Sequence, residues 1–121
     1  MKHQTEVVVQ LIHITGSMKG NIQKFSEGVI SIGRHSSCHL RFPSGEINIS
    51  RKHADIIKEG NKFKLADHSS NGTFINGIMK KDIYLKDGDL LEFAKGGPKV
   101  CFFIVNEENT TKMQRETTAS S

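Results

Sequence analysis

The chain has 121 residues, 36% of them hydrophobic and 25% charged, which suits one soluble globular domain with a single core and leaves no length for a second. A net charge of +4 and a pI of about 9.2 give a modest pull towards anionic partners, too small to name one. No apolar run approaches the roughly 20 residues of a membrane span, and the polar start Met1-Lys2-His3-Gln4-Thr5-Glu6 lacks a signal-peptide core, so the expected setting is the cytoplasm, away from membranes.

In chain order, Glu6 to Ile14 is β-branched and partly alternating and predicts a strand. Thr15 to Asn21, with two glycines, predicts a turn, and Ile22 to Phe25 a short strand. Val29 to Gly33 alternates apolar with small residues, another strand, followed by the polar loop Arg34 to Cys38. His39 to Phe42 alternates until Pro43-Ser44-Gly45 breaks it. Ile47-Asn48-Ile49 leads into Ser50-Arg51-Lys52-His53, after which Ala54 to Lys58 and Phe63 to Asp67 read as strands joined by a turn at Glu59-Gly60-Asn61. Ile83 to Leu85 and Leu90 to Phe93 continue the pattern, separated by Asp87-Gly88. Val100 to Val105 is almost continuously apolar, as a fully buried strand would be. Short strands with turn chemistry between them point to an all-β sandwich or barrel over residues 1–105. Residues 106–121 turn polar, with no apolar period and a net charge of −1, leaving +5 on the rest. They read as a flexible tail.

The densest stretch is Asp67 to Gly77. Two Asn-Gly dipeptides mark sharp turns, and Phe74-Ile75 between them predicts a short strand anchored in the core. Three polar loops then stand out: Gly33-Arg34, Ser50 to His53, and Ser69 to Thr73. Sandwich loops gather at one end of a rigid frame. Here they would set the guanidinium groups of Arg34 and Arg51 beside several hydroxyls and one amide. Arg presents a planar fork suited to a phosphate dianion, Ser50 adds a neutral donor, and the Asn71 amide both donates and accepts.

In order, Gly33-Arg34, Ser50-x-x-His53, Asp67-x-x-Ser70-Asn71-Gly72-Thr73 and Asn76-Gly77 resemble the forkhead-associated (FHA) domain, as in a small bacterial FHA-domain protein, over roughly Val7 to Val105. The resemblance implies an FHA-type β-sandwich of about eleven strands (SMAD/FHA-like) that binds phosphothreonine in a partner protein or peptide, with its site on the loops at one end. It implies phosphate contacts from Arg34, Ser50 and Arg51, a pocket lined by Ser70 and Asn71, and a grip on the peptide main chain by Asn71. Gly33, His53, Gly72, Thr73, Asn76 and Gly77 would form the loop framework. The family prefers phosphothreonine to phosphoserine; one buried methyl is worth only about 0.8 kcal/mol, so more must come from how the methyl fixes the phosphate rotamer. Selection among neighbouring peptide residues would fall to variable loops, here around Glu46, Asn48 and Met79 to Lys81.

The same residues admit competing readings. Ser50, His53 and Asp67 invite a hydrolase triad, but Ser50-x-x-His53 is a local pair and no G-x-S-x-G elbow is present; the expectation is binding without catalysis. No Cys/His cluster has zinc spacing, and no metal or cofactor is expected. Cys38 and Cys101, far apart in the chain, read as two buried free thiols, with a single disulfide as the alternative. Nucleic-acid binding rests on net charge with Lys24 and Lys80-Lys81, and no aromatic stacking platform accompanies it. The runner-up is a structural or oligomerising β-domain indifferent to phosphate, against which stand Arg34, Ser50 and Asn71 together on loops. In the tail, Thr110-Thr111 and Thr117-Thr118 are hydroxyl pairs. Small bacterial FHA regulators carry such a phosphorylatable pair N-terminally, so the position departs from that pattern, and an inert tail or the cut end of a linker is the plainer reading.

Overall fold

The structure, a computed structural model, describes residues 5–108. Among them the elements are β1 (Thr5–His13), β2 (Ile22–Phe25), β3 (Val29–Gly33), β4 (Leu40–Arg41), β5 (Ala54–Glu59), β6 (Lys62–Asp67), β7 (Thr73–Ile75), β8 (Ile78–Met79), β9 (Asp82–Tyr84), β10 (Leu90–Phe93) and β11 (Lys99–Glu108). The tail hydroxyls Thr110, Thr111, Thr117 and Thr118 lie outside the described residues. No helix in the described range is long and apolar enough to cross a membrane.

The strands form two sheets, a six-stranded one in the order β2-β1-β11-β10-β7-β8 and a five-stranded one in the order β4-β3-β5-β6-β9. All-β architecture and the sandwich are as the alternation implied. Its spine is the antiparallel β1–β11 pair, in register from Thr5 opposite Glu108 to His13 opposite Val100. The strand therefore runs past Val105, because pairing with the start of β1 satisfies its backbone groups where composition alone suggested a tail. Among the described strands, only β3 and β4 pair in parallel.

One face of each sheet supplies the core. Val9, Leu11, Leu91, Phe93, Val100 and Phe102 come from the larger sheet; Ile30, Ile32, Leu40, Ile56, Phe63 and Leu65 come from the smaller. Each such side chain contributes about 1.5–3 kcal/mol on burial. Phe42 and Ile49 join them from the β4–β5 connection, almost without exposure. They pin both ends of an exposed segment, so the residues that follow Ile49 leave the core at a fixed point.

Three expectations are corrected. In β11 only Val100 and Phe102 are fully buried while Cys101, Phe103, Ile104 and Val105 are half-covered, since an antiparallel sandwich sheet packs one face only. For the same reason Cys101 is half-buried; Cys38 is buried, and both thiols are free. In β7 it is Thr73 and Ile75 that face inward and Phe74 that is half-exposed. β8 had no sequence signal, being two exposed residues that return from a two-residue hairpin. That hairpin is Asn76-Gly77, whose φ values of 51° and 88° are the double left-handed pair of a type I′ turn.

Candidate functional site

The loop leaving β3, the connection entering β5 and the loop leaving β6 are tied to one another, largely by main-chain groups. The Arg34 N–H donates to the Ser50 carbonyl at 3.3 Å, the His35 N–H to the Arg51 carbonyl at 3.0 Å, and the His53 N–H to the Ile32 carbonyl at 2.8 Å. Segment 50–53 is thereby zipped to the end of β3, with Gly33 packed against it. The third loop is joined on the other side: the Ser70 N–H donates to Ser50 Oγ at 3.1 Å. Arg34, Ser50 and Ser70 thus stand at one rim of the sandwich.

His53 is the strut between these loops. It is fully buried, its Nδ1 accepts the Ser50 N–H at 3.0 Å, and its Nε2 meets the Gly72 carbonyl at 2.9 Å. One nitrogen must accept and the other donate, which selects the neutral imidazole protonated on Nε2. Burial pushes its pKa below the usual histidine value, outweighing the Gly72 hydrogen bond and the Asp67 charge that act the other way. With both nitrogens occupied by main chain, the ring has none to offer the Ser50 hydroxyl, and the hydrolase triad is not assembled.

A second strut holds the third loop. The Asp67 side chain is 1% exposed. Its Oδ1 accepts the Ser69 hydroxyl at 2.6 Å and the Thr73 hydroxyl at 2.8 Å, and its Oδ2 accepts Lys81 Nζ at 3.0 Å. Burial acts to raise its pKa, but the hydrogen bonds from Ser69, Thr73 and Lys81 prevail and hold the carboxyl below its ordinary value. Ser69 Oγ in turn accepts the Gly72 N–H at 2.8 Å. Gly72 sits at φ 92°, where a side chain is disfavoured, while Asn71 is not left-handed.

What the frame leaves available is a set of unspent donors and one acceptor. Arg34 Nε donates to the Ile49 carbonyl at 2.5 Å, which aims the half-buried guanidinium and leaves its terminal nitrogens without a partner among the described residues. Ser50 Oγ receives the Ser70 N–H on a lone pair, so its own proton remains to be donated. Arg51 is exposed and forms no ion pair among the described residues. Asn71 Nδ2 donates to the Asn48 carbonyl at 2.9 Å, fixing the amide while its Oδ1 stays open to a main-chain N–H.

Of the framework residues, Gly33, His53, Gly72 and Thr73 meet at these loops. Asn76 and Gly77 lie at the other end of β7, where Asn76 bonds Asp89 Oδ1 and the Leu90 N–H, both at 2.9 Å, and locks the hairpin to β10. Of the variable positions, Asn48 lies against Asn71, whereas Glu46 accepts the Ser17 hydroxyl at 3.0 Å and Lys81 is spent on Asp67. Sequence reasoning missed Ser69 as a support, Arg41, whose Nε reaches the Arg34 carbonyl at 3.3 Å, and the turn at Ala94-Lys95. An Asp-x-Ser spacing is a legible signal for Ser69; nothing in the sequence marks the other two.

A similar frame recurs in known proteins. A solved structure from work on phosphothreonine-dependent FHA domain interactions superposes with a TM-score of 0.68 at 30% identity, over 79% of this chain and 95% of that one. The FhaA FHA domain, solved in complex with the intracellular domain of Rv3910, gives 0.67 at 32% identity over 78% and 98%. Among curated proteins, the DNA damage response protein kinase DUN1 of Saccharomyces cerevisiae is 32% identical over 103 residues, which is 76% of this chain but 19% of that kinase. The curated relatives are longer, the chain spanning from 19% to 49% of their lengths. The family model for the FHA domain matches residues 30–94, the span from β3 to the end of β10 that holds every strut described above. With more than half its length inside that match and the sandwich folded around it, the chain belongs to the FHA domain family.

Proposed function

We propose that the rim formed by Arg34, Ser50, Arg51, Ser70 and Asn71 binds a phosphothreonine side chain in a partner protein, without catalysis. The observation that carries this is the pairing of Arg34 and Ser50: the first is anchored through Nε with its terminal donors open, and the second is oriented by Ser70 with its proton open. A doubly charged ester oxygen set is the ligand that uses all of these donors, and charge-assisted bonds of about 1.5–3 kcal/mol each would hold it. Asn71 would accept from the peptide main chain, setting the phosphoresidue in place. The ligand would be made by a Ser/Thr kinase, which fits the phosphothreonine-dependent interactions of the FHA relative and the kinase that shares the domain. The sandwich, which extends the expected domain from Val105 to the end of β11 at Glu108, would carry this activity.

The nucleic-acid reading loses its basis in the fold. Lys24 lies on β2 and is paired with Glu107 at 2.6 Å, while Lys80 and Lys81 follow β8 at the opposite edge of the six-stranded sheet. An oriented peptide library in phosphothreonine, phosphoserine and unmodified forms, screened against wild type and Arg34→Ala, tests the proposal. Selective capture of phosphothreonine by wild type, lost in Arg34→Ala, is expected. Equal capture of modified and unmodified peptides would instead favour a phosphate-indifferent interaction domain.

A further inference from the structure

The dipeptides Asn71-Gly72 and Asn76-Gly77 carry a chemistry of their own. The main-chain nitrogen that follows an asparagine can attack that side chain's amide carbon, and glycine, having no side chain, does least to obstruct it. The N–Cγ bond forms, the Cγ–Nδ2 bond breaks, and ammonia leaves with the proton of the attacking nitrogen. Water then opens the succinimide ring at either carbonyl. The product is aspartate, or isoaspartate with the main chain rerouted through the side chain.

The fold restrains the two pairs differently. At Asn76 the side chain is fastened through both of its polar atoms, Nδ2 to Asp89 and Oδ1 to the Leu90 N–H. At Asn71 the side chain is exposed and held by one bond, to the Asn48 carbonyl, so there it is the attacking nitrogen that is restrained. Gly72 is buried, and its N–H donates to Ser69 Oγ at 2.8 Å. Its carbonyl is gripped at 2.9 Å by both His53 and the Ala94 N–H. Attack on Asn71 requires the Gly72 nitrogen to shed its proton and approach Cγ, and either step breaks the bond to Ser69. The Ser69 hydroxyl donates onward to Asp67, but that carboxyl is held below its ordinary pKa by the hydrogen bonds of Ser69, Thr73 and Lys81 and is a poor base.

Resting on the phosphothreonine reading above, we propose that Asn71 is a deamidation site, that the Ser69 hydroxyl holds the reaction back, and that the product no longer binds phosphothreonine. A carboxylate at position 71 has no donor for the Asn48 carbonyl, so two acceptors face each other where one hydrogen bond stood. It also puts a negative charge on a rim that receives a dianion. Isoaspartate goes further, because the added backbone atom displaces Gly72 from Ser69, His53 and Ala94 together. A bound peptide immobilises the Asn71 amide through its open Oδ1, so occupied sites convert more slowly than empty ones.

The test incubates wild type, Ser69→Ala and Ser69→Thr at neutral pH and maps aspartate and isoaspartate at positions 71 and 76 by peptide mass spectrometry, with thermal melts to confirm folding. Conversion at Asn71 should be about fivefold faster in Ser69→Ala, the effect of one lost hydrogen bond, with Asn76 unchanged as an internal clock. Ser69→Thr keeps the hydroxyl and should stay at the wild-type rate, which separates the lost acceptor from a loosened loop. Saturating phosphothreonine peptide should slow the wild-type reaction at Asn71. Fresh Asn71→Asp should bind that peptide about tenfold more weakly than wild type, or worse. Conversion at Asn71 that is equal in wild type and Ser69→Ala, or slower in the variant as a proton relay to Asp67 would make it, overturns the role of Ser69. If Asn71→Asp binds as wild type does while Arg34→Ala does not, the loss of function is wrong and phosphate dependence stands. If fresh wild type does not distinguish phosphothreonine from threonine, the proposal falls with the reading beneath it.

Discussion

A Cβ placed on Gly33 would stand 2.1 Å from the carbonyl oxygen of Arg51 and 2.9 Å from that of Ser50. The glycine just before Arg34 is thus required by close approach of two backbones, since its own φ is ordinary. Main chain cannot yield as the end of a side chain can. Gly33→Ala should push segment 50–53 away from β3, costing about 1–3 kcal/mol of stability and removing phosphopeptide binding along with it. Chemical denaturation and calorimetric titration of the same preparation check both halves.

Arg34→Ala removes a charged donor from an open rim and leaves the Ile49 carbonyl without its partner. Affinity for a phosphothreonine peptide should fall by one to two orders of magnitude, corresponding to about 1.5–3 kcal/mol, with a near-native melt. Ser50→Ala should cost less affinity, because it deletes a neutral donor, although the Ser70 N–H loses its acceptor as well. Asn71→Ala should weaken binding without unfolding the domain, since its one intramolecular bond lies on the surface.

Stability should respond to pH through His53. Its folded pKa lies below the unfolded value of 6.5, so between the two the unfolded chain binds a proton that the folded chain does not. The His53 contribution is fully present above 6.5 and drains away as pH falls through the folded value. The melting temperature should drop on going from pH 7 to pH 5, and His53→Gln, lower throughout, should show a flatter profile over that interval.

Affinity should carry a separate pH signature. The second ionisation of a phosphate ester lies near 6, so binding should weaken as pH falls below about 6 and weaken further with added salt. Titrations at several pH values in which the folded fraction is held above its transition separate this from the His53 effect. A flat response from pH 8 to 5 would contradict a dianionic ligand.

Asp67 gives the sharpest contrast between two partners of one ion pair. Lys81 is 73% exposed on its side chain and Asp67 is 1% exposed. Lys81→Ala should cost under about 1 kcal/mol. Asp67→Asn should cost about 2 kcal/mol or more, because an amide nitrogen replaces one of the oxygens that Ser69, Thr73 and Lys81 require. Denaturant melts of the two variants, with peptide binding read in parallel, should show loss of the 69–73 loop only in the second.

Local chemistry was readable along the chain wherever one residue type dictates one backbone state. Asn76-Gly77 had to turn, alternation from Val29 to Gly33 had to face one side inward, and the ordered set Gly33-Arg34, Ser50, His53, Ser70-Asn71 announced both the fold and its rim. Other features depended on contacts between segments distant in sequence. That His53 spans from Ser50 to Gly72, that β11 reaches Glu108 by pairing with Thr5, and that Phe74 yields the core to Thr73 are consequences of which faces the two sheets bury. Least legible of all was the turn at Ala94: an alanine in left-handed conformation leaves no mark in composition or period, and the hydrogen bond from Ala94 to Gly72 ties that turn to the loop after β6. Sequence alone determined which groups can bind an anion, because that is a property of side-chain chemistry; tertiary structure decided which of them stand together, because adjacency is set by packing and pairing across the sandwich.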